Sequence, residues 1–93
     1  VRAGCSILVN SYKSNTTIDT SILNYLVGSG AKRHAGLTRR SDLLNARVMN
    51  EIGVSYGLLE TCFIDDYDDM KYYKNHKGAM AEAVANAVIA YFR

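Results

Sequence analysis

The sequence predicts an α/β protein in which an open, mostly parallel sheet is flanked by helices in three layers. Three observations carry this prediction. Residues 5–12 centre on an aliphatic, β-branched run, which favours a strand. Residues 56–66 contain a second apolar run between turn residues, and such a run suits a strand buried on both faces. Residues 75–93 carry apolar side chains at helical spacing.

Length and charge exclude several classes of protein. The chain has 93 residues, enough for one small domain, and its net charge is only +2. A dedicated nucleic-acid binder usually has a strongly basic face, so no nucleic-acid partner is expected. The sequence contains no apolar run of ~20 residues and no signal peptide, so no membrane partner is expected either. The first residue is Val1 and not Met, from which we expect a chain cut from something longer.

The two cysteines do not form a recognisable framework. Cys5 and Cys62 are too few and too far apart in sequence for a disulfide scaffold, and neither belongs to a close pair of metal ligands. Both fall in predicted strands. Because free cysteine is among the most buried residue types, we expect two buried free thiols.

Two helices are predicted from spacing and caps. The first covers residues 21–27, with Asp19 or Thr20 as its N-cap and glycines after its end. The second covers residues 75–93 and is capped by Asn75 or His76. Its apolar side chains recur at three- and four-residue spacing and predict a buried stripe of Met80, Val84, Ala87, Val88 and Tyr91.

The middle of the chain leaves alternatives open. The basic segment 31–40 is typical of a solvated loop, but its arginines also suit a rim that meets a carboxylate-bearing substrate. His34 is a weak metal candidate because no second ligand is nearby in sequence. Residues 41–50 read either as a short strand or as a helical turn with one apolar side.

Glu60 is the residue that points to chemistry. It interrupts an apolar run, and a buried unpaired carboxylate requires a partner, a raised pKa or an open cleft. One interpretation is a structural ion pair, and the other is a catalytic acid or base. The acids of 65–69 precede Lys71 and Lys74, an order that suits a helix dipole. A calcium loop is not indicated, because its glycine and terminal glutamate are missing.

Residues 58–66, read LLETCFIDD, resemble one segment of a known enzyme family. That segment runs hydrophobic-hydrophobic-Glu-x-x-Phe-hydrophobic-Asn/Asp in zinc-dependent N-acetylmuramoyl-L-alanine amidases of type 3, the cell-wall amidases of bacteria and phage endolysins. An acidic turn and an alanine-rich final helix follow in the same order. The resemblance spans nearly all of the chain and implies that residues 1–93 are the C-terminal half of a single amidase catalytic domain.

The resemblance implies an activity and its residues. The enzymes hydrolyse the amide bond between N-acetylmuramic acid and the L-alanine of the stem peptide. Glu60 corresponds to their general acid/base, which acts beside a zinc-bound water. Arg39, Arg40 and Arg47 match segments that lie beside the substrate. Two histidines and a glutamate hold the zinc, and these ligands are expected in the N-terminal half of the domain, so no metal ligand is expected here.

The resemblance also implies partners and a place of action. The partners are peptidoglycan and the N-terminal half of the same domain. The protein would act at the bacterial cell wall, after secretion or after release from the cytoplasm during phage lysis. Two alternatives stay open: a non-catalytic peptidoglycan-binding fragment that uses the basic segment, and an unrelated small α/β binding domain in which Glu60 is structural.

Overall fold

The central strand of the computed structural model is β1, Cys5–Asn10. The structure describes residues 3–93, so Val1, on which the expectation of a cut chain rests, lies outside the described residues. Every residue of β1 is buried. Aliphatic and β-branched side chains fit a pleated surface that is covered on both sides, so the strand predicted within residues 5–12 is confirmed.

The remaining elements alternate along the chain. In order they are α1 (Thr17–Gly28), β2 (Arg33–Arg40), α2 (Leu44–Glu51), β3 (Leu58–Glu60) and α3 (Tyr67–Tyr91). The strand order is β2-β1-β3, with β1 parallel to β2 and antiparallel to β3. The α/β class is confirmed, and the sheet is small and only partly parallel. No helix within residues 3–93 is long and apolar enough to cross a membrane.

The hydrophobic core lies between one face of the sheet and two helices. Cys5 and Ile7 of β1 point toward α1 and α3, and Leu37 and Leu59 from the flanking strands pack against the same cluster. The helices contribute Leu23 and Leu26 from α1, and Met80 and Ala83 from α3. Burial of each large aliphatic side chain stabilises the fold by roughly 1.5–3 kcal/mol. Helices α1 and α3 therefore form one layer against the sheet.

Both predicted helices exist, but each begins earlier than predicted. α1 follows Thr16, whose side chain makes no capping bond, and α3 follows Asp66, whose carboxylate accepts a 2.8 Å hydrogen bond from the Asp69 amide. The caps predicted at residues 19–20 and 75–76 are therefore wrong. The predicted stripe of α3 is only partly buried, since Met80 and Ala87 are buried whereas Tyr91 is 37% exposed.

The basic segment is a strand and not the solvated loop that its charges suggested. Residues Ser6–Asn10 of β1 pair in parallel with Gly36–Arg40, and an irregularity precedes Gly36. β2 lies at an edge of the sheet, where charged side chains extend into water without interrupting the backbone ladder. Backbone pairing has thus overridden a composition that is typical of loops.

The third strand is much shorter than predicted. Only Leu58–Glu60 pairs with β1, and Leu58 is 39% exposed, so the expectation of a strand buried on both faces across residues 56–66 is wrong. The chain leaves the sheet after Glu60 to reach the cap of α3. For residues 41–50 the helical alternative is the correct one, because α2 occupies most of that segment.

A buried ion pair connects the beginning of α1 with the loop that leads into β3. The Lys13 ammonium lies 2.7 Å from the Asp19 carboxylate, and the two side chains are only 7% and 3% exposed. Lys13 Nζ also donates a 3.0 Å hydrogen bond to the Tyr56 carbonyl. At Gly57 a Cβ would lie 2.3 Å from Asp19 Oδ1, so only glycine lets the loop pass this close to the pair.

We predict that Asp19→Asn lowers the free energy of unfolding by about 3–5 kcal/mol, because it leaves the Lys13 ammonium buried without its counter-charge. Denaturation by urea, followed by circular dichroism, measures the loss. Replacing both partners, as Lys13→Met with Asp19→Leu, should cost less than the sum of the single changes.

The control for this experiment is an exposed ion pair. Asp42→Asn removes the partner of Arg40, whose side chain is 45% exposed, and should leave the denaturation midpoint nearly unchanged. An Asp19→Asn midpoint equal to that of Asp42→Asn would show that the buried pair does not stabilise the loop.

The two cysteines differ in burial, so the expectation of two buried thiols holds only in part. Cys5 is fully buried, and burial raises the pKa of its thiol. Cys62 follows β3 and is half-buried, with its sulfur 3.8 Å from that of Met70.

We predict that iodoacetamide labels Cys62 well before Cys5 at pH 8, because less Cys5 thiolate forms and solvent does not reach it. Mass spectrometry of peptides from the native protein reads both rates, and labelling in denaturant should make them similar. Equal rates in the native protein would contradict the burial of Cys5.

Candidate active site

The face of the sheet opposite the core carries both polar and aliphatic side chains, and we call it the outer face. Side chains alternate along a strand, so Ser6, Leu8 and Asn10 point away from the core that contains Cys5 and Ile7. The strand register places partners on the same face. From β2 and β3 the outer face therefore receives Thr38, Arg40, Leu58 and Glu60.

Glu60 is the last residue of β3 and is exposed on this face. It lies directly opposite Ser6 of β1 in the antiparallel ladder. The buried Ser6 hydroxyl donates a hydrogen bond of 3.5 Å to Glu60 Oε1. Glu60 forms no ion pair with any residue of the described range 3–93. The carboxylate is thus lightly held and open to solvent, as an acid or base acting on an external molecule needs to be.

The direction of β3 separates Glu60 from the basic residues at the end of β2. In open sheets with parallel strands, the carboxyl ends of the strands meet at one edge. β3 runs antiparallel, so its carboxyl end lies near the amino end of β1. Glu60 pairs with Ser6 whereas Arg40 pairs with Asn10, which is four residues or about 13 Å further along β1.

Arg39 is occupied by the backbone. Its Nη1 donates to the carbonyl oxygens of Lys13 at 2.8 Å, Ser11 at 3.3 Å and Asn10 at 3.5 Å. Its partner in the ladder is Val9, which places its side chain on the core side of the sheet. The sequence predicts substrate binding for Arg39, and the structure adds a role in fastening the loop that follows β1.

Arg40 lies on the outer face and is held by Asp42. Its Nε and Nη2 donate to the two carboxylate oxygens of Asp42 at 2.7 and 2.5 Å. This hydrogen bonding raises the pKa of Arg40, and the charge of Glu60 acts more weakly in the same direction. The same contact lowers the pKa of the Asp42 carboxyl. Arg40 is therefore a fixed cation on the face that carries Glu60.

Arg47 lies on α2, whereas the other two arginines lie on β2. Its Nε is 4.0 Å from Glu51 one helical turn later, and both side chains are more than half exposed. The strand register brings Arg40, but not Arg39, onto the face of Glu60.

Asp69 is a buried carboxylate whose role was not predicted from the sequence. Its Oδ1 accepts a 3.0 Å hydrogen bond from the Gly4 amide, and its Oδ2 accepts a short one from the Phe63 amide. It thereby ties the segment after Glu60 to the residue that precedes β1. The sequence signal was only an acid three residues after Asp66 in an acidic turn, which favours a helix start but names no distant partner.

An aromatic contact lies near the same end of the sheet. The rings of His34 and Phe63 are 4.8 Å apart and nearly perpendicular. His34 precedes the irregularity in the pairing of β1 with β2, and Phe63 follows Glu60 by three residues. Packing against the Phe63 ring therefore accounts for His34 without a metal-binding role.

The described residues do not provide a metal cage. Within residues 3–93 there is no group of three or more histidine, cysteine, aspartate or glutamate side chains that could hold a metal ion. A zinc site normally takes at least three such protein ligands. This part of the chain therefore does not fit a zinc ion by itself.

Comparisons with known proteins place this geometry in context. The model of the N-acetylmuramoyl-L-alanine amidase family matches residues 2–90. The protein named "Probable autolysin PH" of Staphylococcus aureus (strain NCTC 8325 / PS 47) is 31% identical over 86 residues. That match covers 92% of this chain but only 18% of the autolysin, so the chain spans less than a fifth of this relative's length. No solved structure matches the chain significantly.

Proposed function

The chain belongs to the N-acetylmuramoyl-L-alanine amidase family, and we propose that it is part of a domain that cleaves peptidoglycan. The bond broken is the amide between N-acetylmuramic acid and the L-alanine of the stem peptide. The observation that carries this proposal is the exposed Glu60 carboxylate, which ends β3 on the outer face and has no ionic partner among residues 3–93. A carboxylate placed in this way is free to exchange protons with a bound substrate.

Glu60 is proposed as the general acid/base. As a base it takes a proton from the water that attacks the lactyl carbonyl carbon. As an acid it gives that proton to the alanine nitrogen when the amide bond breaks. The exposure of Glu60 argues against the alternative of a buried structural ion pair, since among residues 3–93 its carboxylate accepts a hydrogen bond from the Ser6 hydroxyl and forms no ion pair. The hydroxyl contact leaves the second carboxylate oxygen available to solvent and substrate.

Arg40 is proposed to bind an anionic group of the stem peptide. Its guanidinium retains a positive charge at any physiological pH, and Asp42 fixes its orientation on the outer face. Glu60 and Arg40 pair with residues at opposite ends of β1, and this separation suits an extended substrate that reaches from Glu60 to Arg40. Arg39 and Arg47 are proposed to contribute to the same binding, Arg39 from the end of β2, where it also bonds the backbone, and Arg47 from α2.

The remainder of the catalytic domain is proposed to lie on another segment of the parent protein. Zinc, which the family resemblance implies, would be held by ligands outside residues 3–93. The eight-residue strand β2 has an unpaired edge in the described sheet, and such an edge accepts a further strand. The N-terminal half of the domain is the proposed occupant of that edge.

The proposed place of action is the bacterial cell wall, with peptidoglycan as the partner. Secretion by a bacterium and release during phage lysis both deliver an amidase to that substrate. Neither a nucleic acid nor a membrane is proposed as a partner.

In the parent protein, we predict that Glu60→Gln lowers the rate of amide hydrolysis by about 10²–10⁴, because glutamine keeps the shape but cannot carry the proton. Release of alanine-terminated peptides from purified peptidoglycan measures the rate. Bound zinc and melting temperature should barely change, because Glu60 is exposed and is not proposed as a metal ligand.

The matched control is Glu82→Gln on the exposed side of α3, which should keep full activity. A stable Glu60→Gln protein with near-normal turnover would remove the catalytic role of Glu60. A parent protein that releases only sugars, or nothing, would overturn the amidase assignment itself.

We predict that Arg39→Ala together with Arg40→Ala raises KM and leaves kcat largely unchanged, because substrate binding and not proton transfer is lost. The single variants separate the two residues. Arg40→Ala should carry most of the change in KM, whereas Arg39→Ala should also reduce the melting temperature, since it releases three backbone carbonyls.

Lys77→Ala, which removes an exposed cation from α3, is the control for net charge. A loss confined to kcat in the Arg40→Ala protein would contradict the binding role.

A further inference from the structure

Ser6 is a buried hydroxyl residue in a strand whose neighbouring positions, Cys5 and Ile7, are apolar core residues. It is 4% exposed. Its Cα pairs directly with that of Glu60 in the ladder between β1 and β3. Its hydroxyl donates to Glu60 Oε1 at 3.5 Å, a long hydrogen bond. The serine therefore places its donor at the candidate catalytic carboxylate.

We propose that Ser6 is a positioning residue that holds the Glu60 carboxylate in the orientation needed for proton transfer. This inference rests on the proposed function and assigns a second residue to the same site. Ser6 does not touch the reacting atoms in this proposal. It acts on one oxygen of Glu60 and leaves the other to exchange the proton.

The two strands explain why Glu60 needs such a contact. β3 has three residues and lies at an edge of the sheet, and Glu60 is its exposed last residue. A glutamate side chain has several rotatable bonds, and holding it in one conformation is opposed by entropy. β1 is hydrogen-bonded on both sides and fully buried, so Ser6 stands on the central strand, which is held by both of its neighbours.

The chemistry of the pair fits this role. A serine hydroxyl rotates freely about its Cβ–Oγ bond and can donate to a carboxylate or accept from a protonated acid. It can therefore stay bonded to Glu60 in both protonation states of a proton-transfer cycle. Catalytic hydrogen bonds are often long in unliganded enzymes and shorten when substrate binds, which accommodates the 3.5 Å separation.

The test uses the parent protein and a double-mutant cycle. Ser6→Ala should lower kcat about tenfold and leave KM unchanged, as loss of a hydrogen bond to a charged group predicts. Ser6→Thr, which keeps a hydroxyl on Cβ, should restore most of the rate. In a protein that already carries Glu60→Gln, Ser6→Ala should have no further effect on kcat.

Ser29→Ala is the matched control, because it also removes a serine hydroxyl, one that donates a 2.7 Å hydrogen bond to the Leu26 carbonyl away from Glu60. It should keep the parent kcat. Melting temperatures of all variants separate a loss of folded protein from a loss of rate per folded molecule.

The outcomes distinguish this inference from the proposed function. An active parent whose Ser6→Ala variant keeps its kcat, or whose two substitutions reduce kcat additively, would overturn the positioning role and leave the amidase proposal intact. A parent without amidase activity would overturn both.

Discussion

The buried contact between Lys13 and Asp19 fixes the part of the molecule on which the candidate site depends. β3 is too short to hold its own position in the sheet, with three residues paired to β1. The Lys13 ammonium donates a hydrogen bond to the carbonyl of Tyr56 just before β3. The carboxylate of Asp69 accepts a hydrogen bond from the amide of Phe63 just after β3. Two buried carboxylates in the first turns of α1 and α3 thereby locate one exposed carboxylate, Glu60, on the outer face.

The arginines of β2 show how neighbouring residues of one type take different tasks. Side chains of consecutive residues leave a strand on opposite faces. Because this segment is a strand, the side chains of Arg39 and Arg40 point to opposite faces of the sheet. Arg39 closes the loop after β1 by bonding its carbonyl oxygens, whereas Arg40 is fixed by Asp42 on the side of Glu60. A loop would have imposed no such alternation.

Part of this structure could be predicted from the sequence. The parts that could not be predicted were missed for one shared reason. β1 and the later part of α3 were predicted because their local patterns agree with their burial. β2 was missed because its basic composition is decided by an edge position, which no local pattern encodes. The ends of β3 were misplaced because they depend on Lys13 and Asp69, residues distant in sequence. Glu60 was predicted as a candidate from its local motif, whereas its contact with Ser6 could be found only from the strand register.

The edge of β2 has a further consequence for self-association. The edge of β2 that is unpaired in the sheet of residues 3–93 is a template for pairing with a second copy of the same chain. In an antiparallel pairing of β2 with itself, the arginines at its two ends would face one another, and like charges directly opposite destabilise a ladder. The same arginines attract a strand with acidic side chains and do not repel a neutral one. The charge of this edge thus disfavours pairing of β2 with itself and opposes growth into a continuous intermolecular sheet.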